Sequence, residues 1–364
     1  MGHLAIVNEK TLNNVKMEGY ISTRGTLKKQ VVKTISDIFS DILATRKGDL
    51  IFPWIVKKPK GKNKILGFKY IFKVAGPPIY VVGDFFPIKV PIEPVGKEFD
   101  RPLKEEEALD LWGKKLLWNA IGKKSLGRGR SLTHQLPMED LRLETLLNEA
   151  NPTGSKSINI GKKNFKGDEI SINPSQGSKN PVKDRMFSRF NEEEKKISHL
   201  ILSGIPWRKD DLFSYEKTLE AWIMENIDSE RGESIRNNIL EPDLPIEWFG
   251  NYLTFGVSGS NIDIVVIQSQ EDKKIITVIE LKNTPLSQKE YELAARQNSA
   301  YGSFIKNAFI AYGYGEKAEI KHVVLCHTPK KKTKYSLFSM NNHDSFLFGY
   351  EINARGEVEI KRLV

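Results

Sequence analysis

The chain has 364 residues, enough for two domains, and carries a formal charge of +10. That balance favours a polyanionic partner, and phosphate contacts would make its binding salt-dependent. A single cysteine, Cys326, excludes an internal disulfide and a cysteine-cluster zinc site, and six scattered histidines offer no paired metal spacing. No apolar run approaches the ~20 residues of a membrane span, and the N-terminus lacks a signal-peptide core. A soluble, cytoplasmic protein with no membrane partner is the expectation.

In chain order, the first part is mostly strand. Residues 48–56 read as a strand after a turn, residues 57–64 as a basic hairpin loop, and residues 65–74 as the returning strand. Pro77 and Pro78 turn the chain. Residues 86–94 form a third strand, which the prolines demote to an edge or bulged position. Residues 105–121 and 137–150 read as helices. Tyr20, Trp54 and Trp118 are candidate rings for stacking a flipped base, with Ser22 beside Tyr20. Each tryptophan reads more readily as an ordinary core residue. In residues 122–130, Lys123, Lys124, Arg128 and Arg130 lie among three glycines. Glycines let a backbone approach phosphates while the cations supply charge, so these four are expected to hold a nucleic-acid backbone.

These stretches, with Leu136-Pro137-Met138-Glu139-Asp140 ending them, resemble the EVE/YTH branch of the PUA-like superfamily over residues 1–150. The resemblance implies an α+β domain built on a β-barrel that reads a modified base. In Gly19-Tyr20-Ile21-Ser22-Thr23, Ile21 stands where many such readers have a pocket tryptophan.

Residues 151–196 break the pattern. Asn151-Pro152-Thr153-Gly154 and Asn173-Pro174-Ser175-Gln176-Gly177 are turn and linker chemistry, and a polar linker is expected there. Residues 197–364 then form the second domain. Within it, residues 215–227 place Leu219, Trp222, Ile223 and Ile227 at helical spacing, an amphipathic helix with Glu216 and Glu220 one turn apart. Residues 261–267 and 275–282 are rich in β-branched residues, and residues 270–273 supply a turn between them, so the pair reads as a buried antiparallel hairpin. Alternation puts Glu280 and Lys282 on one face, within reach of Asp263 on the partner strand. Glu-x-Lys on a strand is commonly just a solvated pair. Here Asp263 sits inside an apolar run, where two carboxylates call for a compensating cation. Mg²⁺ prefers such oxygen ligands, with Mn²⁺ as its substitute. Residues 287–308 follow as a helix capped by Ser287 with Glu290 three residues on. Residues 322–326 are a further strand, and the basic run Lys330-Lys331-Lys332 beyond it suits a DNA clamp.

Asp263, Glu280-x-Lys282, the Gln297-x-x-x-Tyr301 spacing and Glu220 on the preceding helix together resemble the PD-(D/E)xK nuclease superfamily, in its RecB-like and NucS-like branches. The resemblance implies an α/β domain, a mixed sheet flanked by helices, that hydrolyses phosphodiesters with Mg²⁺. Asp263, Glu280 and Glu220 would hold the metal, Lys282 would position water, and Gln297 and Tyr301 would orient the strand. The combined expectation is a modification-dependent, restriction-type DNA endonuclease acting on duplex DNA as a homodimer. The alternatives are a NucS-like repair or mismatch endonuclease, an RNA-directed nuclease, and a nucleic-acid-binding protein with an inactive nuclease fold.

Overall fold

The computed structural model describes residues 2–23, 41–57, 64–81, 88–99, 101, 133–135, 156–163, 169–171, 208–209, 211–213, 216–255, 260–271, 273–311, 318–331, 333–340, 343–353 and 357–364. The chain divides into two compact units; the described residues up to 171 belong to the first and those from 208 on to the second. Both are built on mixed sheets with few helices. No helix among the described residues is long and apolar enough to cross a membrane.

The strands of the first unit are β1 (Gly2–Asn8), β2 (Tyr20–Thr23), β3 (Leu50–Lys57), β4 (Lys64–Phe68), β5 (Ile71–Val74), β6 (Ile79–Val81), β7 (Ile88–Val95), β8 (Lys97–Glu98), β9 (Thr133–Gln135), β10 (Lys156–Ser157) and β11 (Glu169–Ser171). Nine form one sheet in the order β11-β6-β7-β5-β3-β1-β9, with β2 on β7 and β4 on β3. Among the described residues this path runs open from β11 to β9 rather than closing on itself. β1 and β3 pair in parallel, and Leu4, Ala5, Ile51 and Phe52 are buried, as central strands require. Entry into β3 is fixed by Asp49, whose Oδ2 accepts from the Arg46 amide at 2.8 Å and is 2.9 Å from the buried His3 Nε2.

Three expectations change here. Residues 65–74 form two strands, because the chain breaks at Lys69–Tyr70: β4 pairs with the far half of β3 and β5 with Leu50 and Ile51. The proline-bearing strand is not an edge. β7 pairs with β2 and β6 over its first half and with β5 over its second; Pro91 sits where it changes partners, and Pro94 lies within the β5 pairing, opposite Phe72. The polar stretch after residue 150 is not all linker, since β10 pairs with β8, β11 with β6, and Ile158 is buried.

A helix the apolar spacing does not announce, α1 (Glu9–Glu18), follows β1. Asn8 caps it, its side chain accepting from the Thr11 amide at 2.8 Å, and Gly19 ends it at φ +80°. Residues 161 and 163 satisfy its last carbonyls: Gly161 N donates to Lys16 O at 2.7 Å and Lys163 N to Glu18 O at 3.0 Å. The approach is so close that a Cβ on Gly161 would overlap the Met17 carbonyl. The predicted helices at 105–121 and 137–150 lie outside the described residues.

In the second unit a short hairpin, β12 (Arg208–Lys209) and β13 (Leu212–Phe213), precedes α2 (Glu216–Asn226) and α3 (Glu233–Asn238). The main strands are β14 (Ile246–Phe255), β15 (Ser260–Gln270), β16 (Lys273–Leu281), β17 (Glu319–His327), β18 (Phe338–Met340), β19 (His343–Ile352) and β20 (Val358–Arg362). Their order is β14-β15-β16-β17-β19-β18, with β20 also on β19. β14, β15 and β16 are antiparallel, whereas β16, β17 and β19 run parallel. The crossover from β16 to β17 is α4 (Gln288–Ala311), opened by the expected reciprocal cap: Glu290 Oε2 accepts from Ser287 N at 2.8 Å, and Ser287 Oγ from Glu290 N at 3.3 Å. Tyr291, Ala294 and Ala295 of α4 pack with Val324, Cys326 and Leu347 of the sheet. Burial pushes the Cys326 thiol up to about 12, so it acts as a small core side chain.

α2 is not amphipathic as expected, for every side chain from Lys217 to Met224 is buried. Gly302 of α4 meets the buried His322 ring of β17 so closely that a Cβ would overlap it. Gly302→Ala is therefore expected to cost about 1–3 kcal/mol by overpacking, read as a lowered urea midpoint at unchanged slope.

Candidate metal-dependent catalytic site

The hairpin register builds the site. Ile264 lies opposite Ile279 and Val265 opposite Val278, so continuing the ladder outward sets Asp263 opposite Glu280 on one face. Asp263 replaces the next ladder bond with its side chain: Oδ2 accepts the Leu281 amide at 2.9 Å. One carboxylate oxygen thus pins the end of the hairpin, and Oδ1 is left to face other groups. On the other side the parallel ladder holds Lys282, whose amide donates to Leu325 O at 2.8 Å. Its ammonium folds back to Glu280 Oε1 at 2.7 Å and Leu281 O at 2.8 Å, with Glu216 Oε2 at 3.5 Å.

α2 closes the cluster and brings residues that the sequence pattern does not single out. Glu220 is fully buried; Oε1 accepts from Asn251 Nδ2 of β14 and Oε2 from the ammonium of Lys217. Lys217, also buried, lies 3.8 Å from Asp263 Oδ1. Its spacing from Glu220 on a helix is a usable signal, an i,i+3 ion pair, but such pairs are usually solvated. Asn251 gives no signal, because its role depends on β14 lying beside β15.

Four carboxylates, Glu216, Glu220, Asp263 and Glu280, thus surround two ammoniums, Lys217 and Lys282. With all four ionised the surplus is two negative charges, the charge one divalent cation would offset. Burial, with Glu280, Glu216 and Glu220 nearby and Lys217 opposing, pushes Asp263 up to about 8. Burial likewise raises Glu280, against the pull of Lys282. For Lys282 burial works downward, yet Glu280 and Glu216 outweigh it and the ammonium is held above its ordinary range.

Glu280 Oε2 is buried without a hydrogen-bond partner among the described residues. A carboxylate oxygen in that state, on the residue opposite Asp263, is a fitting donor for a hard cation such as Mg²⁺. Glu220 fits less well, since Lys217 and Asn251 already take both its oxygens. Among the described residues no three His, Cys, Asp or Glu side chains converge into a metal cage. Of the three carboxylates expected from the sequence, Glu220 is set apart from Asp263 by the ammonium of Lys217, which contacts both.

Gln297 and Tyr301 meet across one turn of α4, Gln297 Nε2 donating to the Tyr301 hydroxyl. Burial raises the Tyr301 phenol, and Glu280 and Asp263 add to the rise, which places its oxygen in the field of the cluster. Asn298, between them in sequence, faces the sheet and donates to Val278 O at 3.0 Å and Val323 O at 2.6 Å. It fixes the height of α4 over β16 and β17 and so aims Gln297 and Tyr301.

The reader candidates are less gathered. Trp54 is 1% exposed, with its ring 4.6 Å from Phe68 in an edge contact, which makes it a core ring and not an open stacking platform. Tyr20 is half-buried and lines a cavity of about 420 Å³ with Gly19, Pro91, Ile160 and Lys163. Ser22 Oγ accepts from the buried ammonium of Lys89 at 3.2 Å, which also reaches Glu18 Oε2 at 3.0 Å. Trp118, Lys123, Lys124, Arg128 and Arg130 lie outside the described residues.

No family model matches the chain, and no curated protein matches it. Among solved structures it is similar to a Pseudomonas putida protein determined as a structural-genomics target, at 15% identity and a TM-score of 0.28, over 40% of this chain and 99% of that one. A likeness that weak carries no argument about fold or function.

Proposed function

We propose that the chain is a divalent-metal-dependent DNA endonuclease whose second unit is a PD-(D/E)xK-type hydrolase and whose first unit is a PUA-like reader of a modified base. The observation that carries the hydrolase reading is the buried Oε2 of Glu280, which has no hydrogen-bond partner among the described residues and lies beside Asp263 in a cluster of four carboxylates and two ammoniums. The net charge of +10 supports a polyanionic substrate. The open cavity at Tyr20 supports a base-reading role for the first unit.

Asp263 and Glu280 would hold the cation, which when bound supplies Lewis acidity and a water of lowered pKa. The chain's own groups do the rest. Lys282 stays protonated at neutral pH because two carboxylates hold its charge, so it donates hydrogen bonds and does not take a proton. It is suited to orienting the attacking water or the scissile phosphate. Tyr301, aimed by Gln297, offers a hydroxyl for a phosphate oxygen. Hydrolysis adds water across one P–O bond, so one site cuts one strand, and cutting both strands calls for a homodimer.

The test is cleavage by the full chain, with Mg²⁺ or Mn²⁺, of matched plasmids bearing different base modifications, an unmodified plasmid and a mismatched duplex. Cutting of one modified substrate alone is expected. Cutting of the mismatched duplex regardless of modification would move the assignment to a repair endonuclease. Equal affinity of an inactive Glu280→Gln chain for modified and plain duplexes would remove the reader role.

A further inference from the structure

Lys217 has no place in the reaction outlined above, yet it is buried at the centre of the carboxylate cluster. Its ammonium pairs with Glu220 Oε2 and lies 3.8 Å from Asp263 Oδ1. Only 6% of its side chain is exposed, against 29% for Lys282. Burying an ammonium is costly unless opposite charge surrounds it, and here two carboxylates from two different elements do so. In two-metal nucleases a pair of ions ~3.5–4 Å apart shares carboxylates between the attacking and leaving oxygens. A second ion bridged by Asp263 and held by Glu220 would have to occupy the space that the Lys217 ammonium fills.

The geometry points to Lys217 as a covalently tethered cation that takes the Glu220 side of the site and leaves a place for one divalent ion, between Asp263 and Glu280. This rests on the reading of Asp263 and Glu280 as metal ligands. Lys217 acts through those carboxylates, so it is a positioning residue. It neutralises Glu220 permanently, holds off a second ion by like-charge repulsion, and weakens the first by standing near Asp263. The two lysines of the cluster then play different roles. Lys282 faces the reacting atoms, and Lys217 sets how many ions the site accepts.

The test is calorimetric titration of the full-length chain with Mn²⁺ alone, so that no turnover is needed. The wild-type chain should bind one equivalent, and Asp263→Asn should abolish it. Lys217→Met should either accept a second equivalent or bind the first at least ~10-fold more tightly. Lys217→Arg, which keeps the charge, should titrate like wild type. Should Lys217→Met fail to fold, Lys217→Gln carries the same test, because its amide can still donate to Glu220 without the charge. Two equivalents in the wild-type chain would overturn the inference and leave the metal site standing. So would one equivalent at equal or weaker affinity in the neutral variant. Mn²⁺ binding in neither protein would overturn the metal reading and the inference together.

Discussion

Asp263→Asn and Glu280→Gln are each expected to lower the cleavage rate by ~10³-fold or more, with duplex binding largely intact. A bound cation contributes several kcal/mol of transition-state stabilisation, and each 1.36 kcal/mol is a factor of about ten. Both residues lie where that cation would be held, and neither belongs to the basic segments expected to grip the backbone. Asp263→Asn keeps an oxygen to accept the Leu281 amide, so the end of the hairpin should survive and the variant should stay folded. Lys282→Ala should also reduce cleavage, and its loss should not be rescued by raising the metal concentration, since Lys282 is not a ligand in this scheme. The measurement is single-turnover cleavage beside a binding titration on the same duplex. Full activity in either carboxylate variant would remove the site assignment.

The metal-free protein should lose stability as pH rises, and Asp263 should carry much of that loss. Its folded-state pKa is pushed from 3.8 up to about 8. The folded chain therefore holds this proton over a range where the unfolded chain has released it. The contribution is fully present below about pH 4, declines as pH rises by at most ~1.4 kcal/mol per unit, and is gone above about pH 8. Glu280 shifts in the same direction and adds to the slope. Asp263→Asn removes one titrating group, so in the presence of a chelator it should be the more stable protein at about pH 9 by an amount on the order of several kcal/mol. The advantage should shrink steadily toward pH 4. Urea unfolding of both proteins across that range decides the matter, and parallel pH profiles would show that Asp263 is not the group responsible.

Much of the second unit could be read from local pattern. Residues 261–267 and 275–282 are rich in β-branched residues, and they form β15 and β16. Ser287 and Glu290 spell a reciprocal cap, and α4 begins after them. In such elements the signal and the structure share one length scale of a few residues. The first unit is less legible because its strands change partners. Pro91 and Pro94 suggest an edge strand to any local reading, yet β7 pairs along its length and changes neighbours after Pro91. α1 escapes the apolar pattern since only Leu12 and Val15 face the core, although Asn8, Thr11 and Gly19 mark its ends.

The site divides along the same line. From sequence alone come the identity of Asp263, Glu280 and Lys282 and their common face, because alternation along a hairpin follows from covalent geometry. The Gln297–Tyr301 pair follows equally from the pitch of a helix. Only the tertiary structure decided that the Asp263 carboxylate spends one oxygen on the Leu281 amide, that Asn251 and Lys217 hold Glu220, and that Glu280 keeps a buried oxygen without a partner among the described residues. Those facts depend on α2 lying over the end of the sheet and on β14 lying beside β15. Helix and hairpin are separated in the chain by more than thirty residues, as Glu220 and Asp263 show. Charge compensation acts through space over a few ångströms, and no spacing along the sequence encodes which ammonium will arrive there.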